Sequence, residues 1–294
     1  LTSEEERNKN YGRMSVASNL GYVCGPALAG VLGATIYGEL IPVSAALLIS
    51  VAGTLIIILF LPESHNCAIE EYPKTKSISK LLGQEHKECY QAEGGKKITF
   101  SEVFKLEYIP FMMVLYFLIF LGFNIYYTAF PVFAATALEW SPAELGIYFS
   151  VLSAMMAFVQ GPVLGKLTTR YAESVLIVAG GFVLGLQFIL IVPGNIFLLY
   201  LAAVFFALGN GIMWPCVLSM LSKLAGKTYQ GSVQGFAMSA SSLASIIGLL
   251  AGGVLYTQLK AMSFLVAAAI IYIVVFLSLR LMKIEKSRQE QEFS

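Results

Sequence analysis

Very few residues in this chain have the types and spacing that chemistry needs. His65, Cys67, His86 and Cys89 are metal-ligating types gathered in one hydrophilic stretch. Zinc takes such residues in recurrent pairs, yet H-x-C and H-x-x-C are not a familiar ligand set, and the surrounding Glu and Lys read as a solvated linker. No metal site and no cofactor are expected. The phosphate-cradling GxxxxGK[ST], the zinc-hydrolase HExxH and the nucleophile-bearing GxSxG are all missing, so an enzyme has no candidate residues. What remains are two amides, Asn124 and Asn210, set among aromatic and aliphatic side chains. Phe120, Asn124 and Tyr127 share one helical face; Asn210, Met213, Trp214 and Val217 share another. A buried amide in an apolar medium must find a partner. Either these two orient an apolar ligand in a wet cavity, or they bond to a neighbouring helix.

The elements that hold those residues are written in the composition. The 294 residues are 57% hydrophobic and 13% charged, with a mean hydropathy of +0.74. The apolar residues come in long runs: Ile41 to Leu61 carries no charge and as a helix spans roughly 30 Å, the thickness of a bilayer core. The chain therefore reads as all-α and polytopic, with eight spans at about 14–37, 41–61, 109–137, 142–165, 174–192, 196–220, 231–257 and 261–280. Alternate threading puts 18 of the 19 Lys and Arg on one side, with Lys260 alone on the other. Positive residues mark the cytoplasmic face, so both ends of this chain are expected in the cytoplasm. Cys24 and Cys216 fall in spans, and Cys67 and Cys89 in a cytoplasmic loop, so no disulfide framework is expected. With net charge +1 and no basic stripe, nothing points to nucleic acid.

Offset by 223 residues, the first span repeats in the seventh: Gly12, Ala17, Ser18, Leu20, Gly25, Gly30, Val31 and Leu32 fall on Gly235, Ala240, Ser241, Leu243, Gly248, Gly253, Val254 and Leu255. Both copies start from the same face, as parallel six-helix repeats do. The organisation that follows is 1–61, the last two helices of a first unit; 62–108, a cytoplasmic loop; 109–282, a complete six-helix unit; and 283–294, a tail. The opening LTSEEERNKNYGRM has no signal pattern, and four helices of the first unit are expected to precede it. In GYVCGPALAGVLG, Gly21, Gly25, Ala29 and Gly33 recur every four residues, and Ser150, Ala154, Ala157, Gly161 and Gly165 form a similar stripe on the fourth span. Small residues let helix backbones approach closely in lipid.

The order of residues in these stretches resembles a known family. GYVCGPALAGVLG resembles the glycine–proline signature in the fifth helix of proton-driven antiporters of the major facilitator superfamily. YQGSVQGFAMSASSLASIIGLLAGGVLY is similar to the eleventh helix of its tetracycline-efflux branch. QGPVLGKLTTRY is similar to the eighth helix and the G-x-L-x-D-R-x-G loop after it, while LEWSPAELGIYFS and GNGIMWPCVLSMLSK match stretches before the eighth helix and within the tenth. The chain departs from the pattern at Leu249, where the family often has proline, and at Thr168 and Thr169, which stand where the loop carries an acid. The resemblance implies a major facilitator superfamily-like bundle holding family helices five to twelve. It implies small-molecule transport by alternating access in the cell membrane, with protons as the coupling ion and an amphipathic drug-like compound driven outward. Phe120, Asn124, Tyr127, Asn210, Met213 and Trp214 would line the cavity; Gly21, Gly25, Pro26 and Gly30 would form the antiporter packing motif; and Gly165, Lys166 and Arg170 the cytoplasmic loop motif. No ionisable residue lies in the middle of a span, so no coupling residue is assigned. A non-transporting scaffold or an inactive piece of a transporter is the alternative.

Overall fold

The computed structural model describes residues 20–60, apart from 22, 36 and 39, and residues 104–292, with no side-chain description for 227, 228, 284 and 286–292. His65, Cys67, His86, Cys89 and most of the loop 62–108 lie outside the described residues. The described chain resumes at Phe104 and turns through Tyr108 at φ 65° before the next helix begins.

Helices account for almost everything described. They are α1 (Val23–Gly33), α2 (Leu40–Phe60), α3 (Ile109–Ala137), α4 (Pro142–Thr168), α5 (Glu173–Ile191), α6 (Ile196–Gly226), α7 (229–259) and α8 (Ser263–Glu292). Six described helices are long and apolar enough to cross a membrane, the last being a 55-residue run, Tyr229–Lys283. That run breaks at Lys260, where φ is 51°, so α7 and α8 make two crossings of it. Between α6 and α7 the helical path is interrupted at Gly226, with φ 65° and ψ 172°. A side chain would resist that conformation, and glycine does not.

Local chemistry sets several boundaries. Ser141 caps α4: its hydroxyl accepts from the Glu144 N–H at 3.3 Å, and the Glu144 carboxylate accepts from the Ser141 N–H at 2.7 Å. This reciprocal pair, with Pro142 in the first turn, satisfies donors the helix cannot. Asn195 does the same for α6, its side-chain oxygen accepting from the N–H groups of Phe197 and Leu198.

Packing inside the bundle relies on small residues. A Cβ on Gly209 would stand 2.6 Å from the Leu184 nitrogen, one on Gly185 2.6 Å from the Tyr272 ring, and one on Gly122 3.2 Å from Ile271. These contacts pin α5 to α6, α5 to α8 and α3 to α8. In lipid no hydrophobic drive holds helices together, so close backbone approach and dispersion must. The core they enclose is aromatic: Tyr126, Phe130, Phe188, Phe206 and Phe264 are fully buried and meet at centroid distances of 5.2–6.4 Å. By contrast α2 buries no residue, as suits a helix facing lipid or further helices.

Candidate functional site

Three aromatic rings join α3 to α6. Trp214 stands 5.1 Å from Tyr116 and 5.3 Å from Phe120, edge-on to the latter, and Tyr116 lies 5.1 Å from Phe120. One helical turn further along, Tyr127 contacts Phe123, Phe149 and Phe206 and is 44% exposed. The two groups make a ring-lined surface at the level of Asn124. Tyr116 was not singled out in the sequence, although it sits four residues before Phe120 and so on the same face.

The two amides part company. Asn124 donates from Nδ2 to the Phe120 carbonyl at 2.8 Å and to Ser245 Oγ on α7 at 3.0 Å. This is an interhelical bond, and it lies in a seam too tight for side chains: a Cβ on Gly248 would stand 2.7 Å from Asn124 Cβ, and one on Gly252 3.0 Å from Thr128 Cβ. Thr136 and Tyr256 close the seam with a hydroxyl–hydroxyl contact of 2.9 Å. Among the described residues Asn210 meets only the sulfur of Met156, 3.3 Å from Nδ2, and its buried Oδ1 has no partner there. Beside it, Val159–Val163 winds as one π turn around Pro162, and a Cβ on Gly211 would stand 2.9 Å from Val159 Cγ1. A π turn leaves backbone groups poorly matched and often marks a functional position. Met213 is placed differently from its neighbours Asn210 and Trp214. It is fully buried, with its backbone nitrogen 3.0 Å from where a Cβ on Gly180 would sit, inside the α5–α6 seam.

In the glycine–proline helix only part of the small-residue face makes contact. A Cβ on Gly30 would stand 2.9 Å from Gly146 Cα, and one on Gly146 would stand 2.5 Å from the Pro26 carbonyl oxygen. A Cβ on Gly33 would lie 3.7 Å from Pro142 Cβ. At Gly21 and Gly25, nothing among the described residues comes within 4 Å. So α1 and α4 touch at the end where α4 begins and separate towards the end where it finishes, leaving Ala154 and Gly161 exposed on α4.

Where α4 finishes, Gly165, Lys166 and Arg170 are all exposed. Thr168 and Thr169 turn their hydroxyls onto the Leu164 and Lys166 carbonyls at 3.1 and 2.8 Å. A neighbouring charged cluster escaped the sequence reading because its members are far apart in the chain. Glu173 Oε1 accepts from Ser219 Oγ at 2.7 Å and from Lys223 Nζ at 2.8 Å, and Glu285 Oε2 accepts from the Ser174 N–H at 2.9 Å. The start of α5 is thereby tied to the ends of α6 and α8.

The family model described as the Major Facilitator Superfamily matches residues 1–173 and 112–293. Among curated relatives, the class C tetracycline resistance protein of Escherichia coli is 24% identical over 284 residues, covering 95% of this chain and 67% of that protein. Multidrug resistance protein 2 of Bacillus subtilis is 24% identical over 263 residues, covering 87% and 60%. The human solute carrier family 67 member A1 is 23% identical over 273 residues, covering 87% and 58%. The chain thus spans about three fifths to two thirds of these relatives' length. Among solved structures, the human organic anion transporter MFSD10 (TETRAN) shares the fold, with a TM-score of 0.65 at 22% identity over 95% of this chain and 65% of that one.

Proposed function

The chain belongs to the major facilitator superfamily and is a multi-pass membrane protein, and on that premise we propose that it works in small-molecule transport by alternating access. The observation that carries the proposal is the half-made α1–α4 seam. Gly30 and Gly146 meet with no room for a side chain, while among the described residues nothing approaches Gly21 or Gly25 on one helix, and Ala154 and Gly161 on the other are exposed. Two faces built for close approach but joined at one end describe a pair of helices that rocks about its closed end. With the cations on the cytoplasmic side of the cell membrane, the closed end is extracellular and the open end faces the cytoplasm. Both termini of this chain then lie in the cytoplasm.

In this reading α1 and α2 are the last two helices of a first six-helix unit and α3–α8 form the second, with the cavity between the units. Phe120, Tyr127 and Trp214 offer ring faces to an apolar substrate, with Tyr116 buried behind them, and Asn210 has an amide oxygen that no described residue uses. Rings with few fixed polar groups suit amphipathic, drug-like molecules. Resemblance to the tetracycline and multidrug resistance proteins supports outward transport with protons as the coupling ion. An intramembrane acid is the usual carrier of that role, and no residue of this chain is assigned to it.

The test uses the protein from its complete reading frame in proteoliposomes, with tetracycline and ethidium as probes and an imposed pH gradient. Uptake that follows the gradient and collapses with a protonophore supports the proposal. Protein that is folded and monodisperse but moves neither probe under any gradient would favour a scaffold.

A further inference from the structure

We propose that the turn joining α4 to α5 is a docking site for the headgroup of an anionic phospholipid, held by Lys166 and Arg170. Both cations are exposed, and among the described residues neither has a carboxylate within ion-pair distance; the ion pair the structure shows there joins Lys223 to Glu173. The positions where an acid would answer them are Thr168 and Thr169, and both hydroxyls are already spent on backbone carbonyls of the helix end. Those carbonyls are the groups a basic side chain would otherwise cap. The Lys166 ammonium and Arg170 guanidinium are thus left with no task among the described residues.

Their placement fits a headgroup. They lie four residues apart where α4 gives way to the turn, as Arg170 and Tyr171 both donate backbone N–H groups to the Leu167 carbonyl. Lys166 is in the last turn of the helix and Arg170 just past its cap at Thr169, so the two cations leave the chain at the same end of α4, where two like charges favour an anion. A phosphate diester accepts two parallel bonds from a guanidinium and a point contact from an ammonium. Tyr171, next to Arg170 in the turn, is 53% exposed, an interfacial ring of the kind found at a membrane boundary. Of the 19 Lys and Arg residues, 18 fall on this face by the sequence threading, which is the face that meets anionic lipid in a cell membrane. The inference depends on that side assignment and not on the transport reading, so either may fail without the other.

The full-length protein, purified in detergent and delipidated, is titrated with mixed micelles of phosphatidylglycerol or phosphatidylcholine, and retained lipid is counted by native mass spectrometry. Each cation near an anionic surface contributes about a fivefold preference and the pair about thirtyfold. K166Q/R170Q should therefore lose the preference for phosphatidylglycerol about thirtyfold. The control pair K105Q/K283Q removes the same charge and should retain it. The swap K166R/R170K keeps both charges and should bind, which separates lost recognition from lost folding. Equal losses in the two charge-removing pairs would reduce the effect to overall surface charge and overturn the site. An unchanged preference in K166Q/R170Q overturns it directly, as does displacement of the lipid by millimolar inorganic phosphate. Stronger lipid retention in E4Q/E5Q/E6Q would mean that the acids near the start of the chain occupy the pair, and would overturn it too.

Discussion

Asn124 and Asn210 present the same side chain in the same kind of apolar setting, yet the structure gives them different work. Asn124 spends its donor on Ser245 in a seam closed by Gly248, whereas Asn210 keeps an unpartnered oxygen beside the π turn. Asn124→Ala should therefore cost about 0.6 kcal/mol, the usual worth of such a bond between membrane helices. A thermal melt in detergent should record it with little change in probe affinity. Trp214 answers differently, because Tyr116 and Phe120 both rest on it. An aromatic pair contributes about 0.5–1.5 kcal/mol, so Trp214→Ala should weaken tetracycline or ethidium binding about two- to tenfold, and Trp214→Phe should restore most of it. Fluorescence titration of the purified protein measures both. Equal affinity in Trp214→Ala would remove the ring surface from the proposed cavity.

Among the elements, α1 and α4 carry the sharpest expectation. At Gly146 a Cβ would collide with the Pro26 carbonyl at 2.5 Å, and that obstacle is backbone. Gly146→Ala should cost about 1–3 kcal/mol, the range for forcing atoms into a filled space, and Gly146→Leu should prevent the seam from forming. Gly25→Leu meets nothing in the arrangement described. It should leave the melting temperature close to that of the parent and instead slow transport, by obstructing closure of the open end. A stability loss at Gly25 equal to that at Gly146 would contradict the half-made seam. The cluster at the start of α5 is worth less than its two short bonds suggest. Lys223 is 64% exposed, so solvent screens the pair, and Lys223→Met should cost at most about 1 kcal/mol.

At the scale of the whole molecule, the two ends of the α1–α4 pair should respond oppositely to cross-linking. A Cβ on Gly33 would lie 3.7 Å from Pro142 Cβ, within disulfide range, so G33C/P142C, with Cys24, Cys67, Cys89 and Cys216 replaced, should cross-link readily. G25C/A154C should cross-link only when the open end closes, and more so as substrate or a pH gradient is supplied. Mobility on a gel reports both. A G25C/A154C bond that forms at once and independently of substrate would rule out the open end as a moving part.

The sequence alone determined the class of the molecule and several of its helix limits, and its charges set the sidedness proposed above. Hydropathy and charge are local and additive, so Ile41 to Leu61 announces a span whatever surrounds it, and 18 cations on one side orient the rest. The helix α3 runs over the residues 109–137 read from the apolar run, and α5 and α6 begin within a residue of the sequence reading. The family was legible too, because five motifs keep their order along the chain. Which small residues touch was decided only in three dimensions. Each residue turns a helix face by about 100°, and where two helices cross depends on every other contact in the bundle. Both Gly25 and Gly30 read as small packing positions, yet Gly30 meets Gly146 and Gly25 meets nothing among the described residues. For the same reason Glu173, Ser219, Lys223 and Glu285 became one cluster only when α5, α6 and α8 came together.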